Sequence, residues 1–117
     1  MASAKLPQVR LAHMLEHIDG ILAATAGMQP SEITGNYLVV RALERSVQII
    51  SEAAKELPPE LRAHEPDVPW QNIIGIGNLL RHEYYRIRDT DMLDILQVHL
   101  PHLRPALVRL LAFLEKE

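Results

Sequence analysis

The residues able to do chemistry crowd into one stretch, Gly75-Ile76-Gly77-Asn78-Leu79-Leu80-Arg81-His82-Glu83-Tyr84-Tyr85. An imidazole is the side chain whose ordinary pKa lets it both take and give a proton near neutrality, so His82 is the candidate acid or base. Arg81 beside it, with Arg86 and Arg88 just beyond, offers cations suited to a phosphate and to charge developing on it. On a helix Asn78 lies one turn before His82 on the same face, where its amide can orient the imidazole or hold a substrate oxygen. Tyr84 is the nearest phenol. The stretch has no metal-carboxylate cluster, and Gly75-x-Gly77 sits inside the helix rather than before it, so it is not a phosphate loop. Metal-free acid–base work on a phosphodiester fits these groups best. RNA is the natural substrate, because its 2′-OH is an internal nucleophile that a histidine can assist. The competing reading is a structural Asn78–His82 pair at a contact between helices.

The elements that must position this stretch are helices. Two glycines inside one helix cost roughly 1 kcal/mol each against alanine, and their usual justification is close approach of another backbone. Residues 8–26 carry apolar side chains at Val9, Leu11, Met14, Leu15, Ile18, Ile21 and Leu22, the stripe of an amphipathic helix that Gly27 ends before a turn at Pro30-Ser31. Residues 36–57 form the longest periodic segment, with Val39, Val40, Leu43, Val47, Ile50 and Ala54 as its buried stripe. Its charges alternate in sign along the exposed face. Arg45 and Glu52 are the two that a long helix touching the central site would bring to it. Residues 58–69, with four prolines, read as a connecting loop with one helical turn near residues 60–63. Asp67 or Val68 then caps a helix with Pro69 in its first turn and Trp70 as a core anchor. A polar break at residues 86–91 lets Asp89 or Thr90 cap a helix to Leu100, which Pro101 breaks or kinks before residues 103–113 resume the stripe.

Composition bounds the rest. The 117 residues suit one domain, residues 1–117, and a core with only 4% aromatic residues must be filled by aliphatic side chains, which favours packed helices. No strand signal is present, so the fold class is all-α, an up-and-down bundle of four to five helices. With no cysteine there is no disulfide and no thiolate metal site. A net charge of −3 argues against a general nucleic-acid coat while allowing a local site. No signal pattern or membrane-length apolar run is found, and the expected compartment is the cytoplasm. His13, Glu16 and His17 spell a zinc-peptidase pattern on the first helix, where a solvated face is the favoured alternative because no third ligand follows. His99 and His102 straddle Pro101, which works against a shared metal. No metal or cofactor is expected.

The segment 78–84, Asn-Leu-Leu-Arg-His-Glu-Tyr, the following residues 91–103 with their Leu-Pro-x-Leu ending, and the upstream run 41–55 together resemble the HepT-like branch of the HEPN superfamily across nearly the whole chain. The resemblance implies a small helical bundle that forms a homodimer through the motif-bearing helix. It further implies the toxin half of a toxin–antitoxin pair, with metal-independent ribonuclease activity and a minimal nucleotidyltransferase (MNT) as antitoxin. The family pattern is an Arg, usually followed by a polar residue, then a His, with an H-x-Y extension whose Tyr receives AMP. Asn78, His82 and Tyr84 match it, which implies His82 for proton transfer, Asn78 as orienting residue and Tyr84 as AMP acceptor. One departure stands out: Gly77 occupies the place of the Arg expected before Asn78. Arg81 is about 100° round the helix from His82 yet one turn from position 77, so its side chain is the first candidate to restore the charge, with Arg45 as the second and Glu83 as a supporting group. Gly75 and Gly77 are expected at the dimer contact. The rival implication is a non-catalytic HEPN dimer that serves as binding partner or substrate of a nucleotidyltransferase, which Gly77 and the negative charge both favour.

Overall fold

In the computed structural model, which describes residues 6–116, the described chain is helical and has no strand. Helix α1 (Pro7–Thr25) begins with proline in its first turn and buries Leu11, Met14, Ile18 and Ile21, the stripe expected from the sequence. The hydroxyl of Thr25 donates to the Ile21 carbonyl at 2.8 Å, closing the last turn. Gly27, at φ +79°, then takes the left-handed conformation that reverses the chain. The turn expected at Pro30-Ser31 is itself a short helix, α2 (Pro30–Thr34), whose Glu32 carboxylate accepts from the Gln29 amide at 2.8 Å.

Helix α3 (Tyr37–Glu56) starts where Asn36 accepts from the Val39 amide at 3.2 Å and stops as Leu57 turns extended ahead of Pro58-Pro59. It is the central element, packing α1 on one side and α5 on the other. A single turn, α4 (Pro59–Arg62), follows. The indole N–H of buried Trp70 donates to the carbonyls of Arg62 and Glu65, each at 3.1 Å, and so ties this loop to the start of α5 (Trp70–His82). Trp70 is thus the expected anchor. The expected cap is displaced, because Pro69 is the residue flanking the helix and no side chain caps it.

Arg88 flanks α6 (Asp89–Asp94), and its amide is held by the Asp91 carboxylate at 3.0 Å in place of a cap from Asp89 or Thr90. The break or kink expected at Pro101 is a wide turn instead. Residues 95–99 are a π turn, in which the Leu100 amide donates to the Ile95 carbonyl, and α7 (Leu100–Glu115) runs on through Pro101 and Pro105. Proline has no N–H and its ring crowds the carbonyl four residues back, and the wider turn accommodates both defects without ending the helix. α7 returns along α1, while α6 rests on α2 and α3. The core is one aliphatic cluster in which Leu43, Val47 and Ile50 of α3 meet Met14 and Ile18 of α1 and Leu103 and Leu107 of α7. Of the long helices α5 contributes least to it: only Trp70 and Gly77 are buried, whereas Ile73, Ile74, Ile76, Leu79 and Leu80 are half-buried. A cavity of about 580 Å³ opens between α5 and α7, walled by Ile73, Ile76, Ile95 and Leu103.

Candidate active site

The site lies at the C-terminal end of α5. The last helical hydrogen bond runs from the Glu83 amide to the Leu79 carbonyl at 2.8 Å, and Glu83 leaves helical geometry at φ −142°, ψ 43°. Tyr84–Arg86 then form a 3₁₀ turn, with the Arg86 amide donating to the Glu83 carbonyl at 2.9 Å. The helix therefore ends three residues before the polar break anticipated after Tyr85. Tyr84 leaves the helical face and stands 67% exposed.

Gly77 explains how α5 sits on α3. A Cβ added there would fall 2.6 Å from the Ser51 Cβ and closer still to its Oγ. Ser51 is itself buried, and its hydroxyl donates to the Ile74 carbonyl at 3.0 Å, one turn before Gly77. The two smallest facing residues let the helices touch, and the serine satisfies its own hydroxyl on the partner backbone. This corrects one expectation. The close approach that Gly77 serves is between α5 and α3 of the same chain, so Gly77 is not a surface glycine awaiting a second copy. Gly75 differs, since nothing lies within 4 Å of an added Cβ there.

The same stretch of α3 supplies a partner for Arg81. The Glu52 carboxylate accepts from Arg81 Nη1 at 3.1 Å, and the Asn78 carbonyl oxygen accepts from Arg81 Nη2 at 3.0 Å. Arg81 is thus fixed from two sides while its side chain stays 36% exposed. Asn78 consequently holds Arg81, and among the described residues no hydrogen bond joins it to His82, contrary to the imidazole-orienting role expected of it. His82 is exposed, one residue beyond Arg81. Arg45 donates along its own helix to Gln48 at 3.4 Å, and among the described residues no hydrogen bond joins it to α5. Glu83 pairs with Arg86 at 3.3 Å across the 3₁₀ turn.

Ser51 is the residue that the sequence did not mark. Its signal was there, a small polar residue beside the apolar stripe of α3, yet only the fold shows which glycine it faces. Among the described residues no three His, Cys, Asp or Glu side chains gather as a metal site, and His13, Glu16 and His17 belong to no such group. No described helix is long and apolar enough to cross a membrane.

Most of the chain is similar to known proteins. Residues 14–110 match the family described as "Ribonuclease HepT-like". A protein named "Putative RNase TTE0752" from Caldanaerobacter subterraneus subsp. tengcongensis is 30% identical over 99 residues, covering 85% of this chain and 88% of its own. "Putative RNase MJ1216" from Methanocaldococcus jannaschii is 24% identical over 105 residues, covering 90% of this chain and 87% of its own. "Putative RNase MJ1380" from the same organism is 30% identical over 77 residues, covering 66% and 71%. No solved structure matches at a significant level.

Proposed function

The chain belongs to the HepT-like ribonuclease family, and on that premise we propose that residues 1–117 act as one domain, a metal-independent endoribonuclease and the toxin of a toxin–antitoxin pair in the cytoplasm. The observation that carries this reading is the placement of Arg81. Position 77 is buried against Ser51 and takes no arginine, while Arg81, one turn on, is held by Glu52 and Asn78 beside His82. In the reaction the ribose 2′-oxygen attacks the adjacent phosphorus, giving up its proton. The P–O5′ bond breaks, leaving a 2′,3′-cyclic phosphate, and the departing 5′-oxygen takes a proton. His82 serves as one of the two proton carriers and Arg81 stabilises the charge that builds on the phosphoryl oxygens.

One histidine stands at this site, whereas the reaction needs both a base and an acid. A homodimer through α5 supplies two copies of His82 about a two-fold axis. The half-buried aliphatic residues of α5 and open Gly75 support that contact. An MNT-type nucleotidyltransferase antitoxin would transfer AMP from ATP to the exposed Tyr84 hydroxyl, which loses its proton as pyrophosphate departs, setting bulk and negative charge where the RNA phosphate must lie.

A second reading, a non-catalytic dimer that partners the nucleotidyltransferase, draws on the Glu52–Arg81 pair, which offsets the charge of the arginine beside His82. Expression of the chain alone separates the two. Growth arrest that disappears with His82→Ala and with co-expressed nucleotidyltransferase supports the toxin. Unimpaired growth at high expression contradicts it and leaves the binding partner.

A further inference from the structure

The distribution of the aromatic residues points beyond the histidine. The chain has one Trp, one Phe and three Tyr. Trp70 is in the core, and Phe113 is half-buried with its ring 4.1 Å from that of His64. All three tyrosines are exposed, and two of them, Tyr84 and Tyr85, stand side by side on the 3₁₀ turn directly after His82, Tyr85 at 73% exposure. Their rings meet edge to face, with centroids 6.1 Å apart and planes at 79°. Edge-to-face packing is a favoured arrangement of aromatic pairs, and this pair buries little of its area in the chain. Arg86 and Arg88 follow at once, paired with Glu83 at 3.3 Å and Asp91 at 3.3 Å on the surface. Exposed ion pairs of this kind hold weakly, so both guanidinium groups can exchange a carboxylate for a phosphate. The third tyrosine, Tyr37, opens α3 with Arg41 lying 5.0 Å from its ring centre. Because α6 packs on α2 and α3, residues 84–88 lead into α6 toward that same end of the bundle.

Exposed aromatic rings interleaved with arginines are the surface that binds unpaired nucleic acid: bases stack on the rings and phosphates meet the cations. We propose that this end of the molecule takes single-stranded RNA, with Tyr85 as the platform on which a base next to the scissile phosphate stacks. Duplex RNA is excluded by the same chemistry, since its bases already stack on one another and offer no free face. Tyr84, two residues from His82, borders the reacting phosphate, while Tyr85, with Arg86 and Arg88, carries the strand away from it. This rests on the ribonuclease reading for its direction along the strand, while binding is measured without cleavage.

The experiment uses the full chain carrying His82→Ala, so that RNA stays intact, titrated with a fluorescent single-stranded oligoribonucleotide and with the same oligonucleotide annealed to its complement. Single strands should bind at least tenfold tighter than duplex. Tyr85→Ala should weaken single-strand binding roughly ten- to a hundredfold, the range that loss of one base stack represents. Tyr85→Phe should stay within about twofold of the parent, because the ring face is kept. Tyr85 is exposed, and a thermal melt of each variant establishes that the fold is retained. Equal affinity for duplex, or the same affinity with alanine as with phenylalanine at position 85, overturns the proposal. So does a Tyr85→Ala variant that binds RNA normally but loses self-association, which assigns the rings to a protein contact. Cleavage by the otherwise unaltered chain that ignores Tyr85 leaves the ribonuclease standing without the platform. Tyr85-dependent binding with no cleavage leaves the platform standing without the ribonuclease.

Discussion

Gly77 of α5 lies so close over Ser51 of α3 that a methyl group on the glycine would come within 2.6 Å of the serine Cβ. This contact sets the spacing of the two helices that build the site, and it leaves no room at position 77 for the arginine that the resemblance leads one to expect there. Gly77→Ala should lower Tm by up to about 8 °C, since overpacking costs about 1–3 kcal/mol and alanine's better helix propensity returns about 1 kcal/mol. Combining it with Ser51→Gly should give a smaller loss than the two single losses added, measured by thermal melts of all four proteins. Gly77→Arg, which writes the family arginine back, should fail to yield folded protein rather than raise activity.

Glu52 and Asn78 hold Arg81, whereas Arg45 is turned along its own helix. Cleavage assays should therefore separate two arginines that look equivalent in sequence. Arg81→Ala should reduce the single-turnover rate by about 10²–10³, the effect of removing one charge-stabilising donor. Arg45→Ala should leave it within about threefold, in keeping with a solvated surface charge.

Two ion pairs outside the site make a modest, pH-dependent contribution to stability. The Arg104 guanidinium donates to Asp19 at 2.7 and 3.0 Å, tying α7 to α1, and the Arg109 guanidinium donates to Glu65 at 2.6 Å, tying α7 to the loop before α5. Hydrogen bonding to these arginines lowers both carboxyl pKa values from their ordinary 3.8 and 4.5. A carboxyl whose folded pKa is depressed binds more protons when unfolded. Its stabilisation is thus complete above the ordinary value and disappears as the pH falls through the lower folded one. Chemical denaturation should show stability flat above about pH 5 with respect to these pairs and falling below pH 4. The fall should be shallower in Asp19→Asn, and about 1 M salt should make it shallower in the unaltered chain, because exposed ion pairs are screened.

Gly75 has open space where Gly77 has none. Gly75→Ala should raise Tm by an amount corresponding to at most about 1 kcal/mol, through helix propensity alone. Gly75→Leu places a bulky side chain on the face proposed to meet a second copy. Sedimentation velocity should then show dissociation into monomers, whereas an unchanged dimer would move the contact off this face.

Much of the bundle was legible because its stripes are long. Leu11, Met14, Ile18 and Leu43, Val47, Ile50 repeat at helical spacing, and burial follows that spacing directly. Trp70 was legible as an anchor because a lone indole after Pro69 has little else to do. The end of α5 was not. Nothing in Leu-Leu-Arg-His-Glu-Tyr-Tyr forbids helix, and the break at Glu83 comes with no proline or glycine to mark it. The π turn before Pro101 escaped for a related reason: the sequence shows the missing amide but not how the chain absorbs it. At the site, the spacing put Asn78 and His82 on one face, yet the hydrogen bond goes from Arg81 to Asn78, because Glu52 on α3 fixes the guanidinium beside the amide. A partner 29 residues away in sequence leaves no local signal.

The central claim is that His82 and Arg81 cleave RNA without a metal ion. The most direct measurement is single-turnover cleavage of cellular RNA in the presence of EDTA, with the unaltered chain compared with His82→Ala. Cleavage that persists in EDTA, leaves 2′,3′-cyclic phosphate ends and disappears with His82→Ala is the predicted result. Intact RNA after incubation with the folded, dimeric unaltered chain, or cleavage that survives His82→Ala, would contradict it.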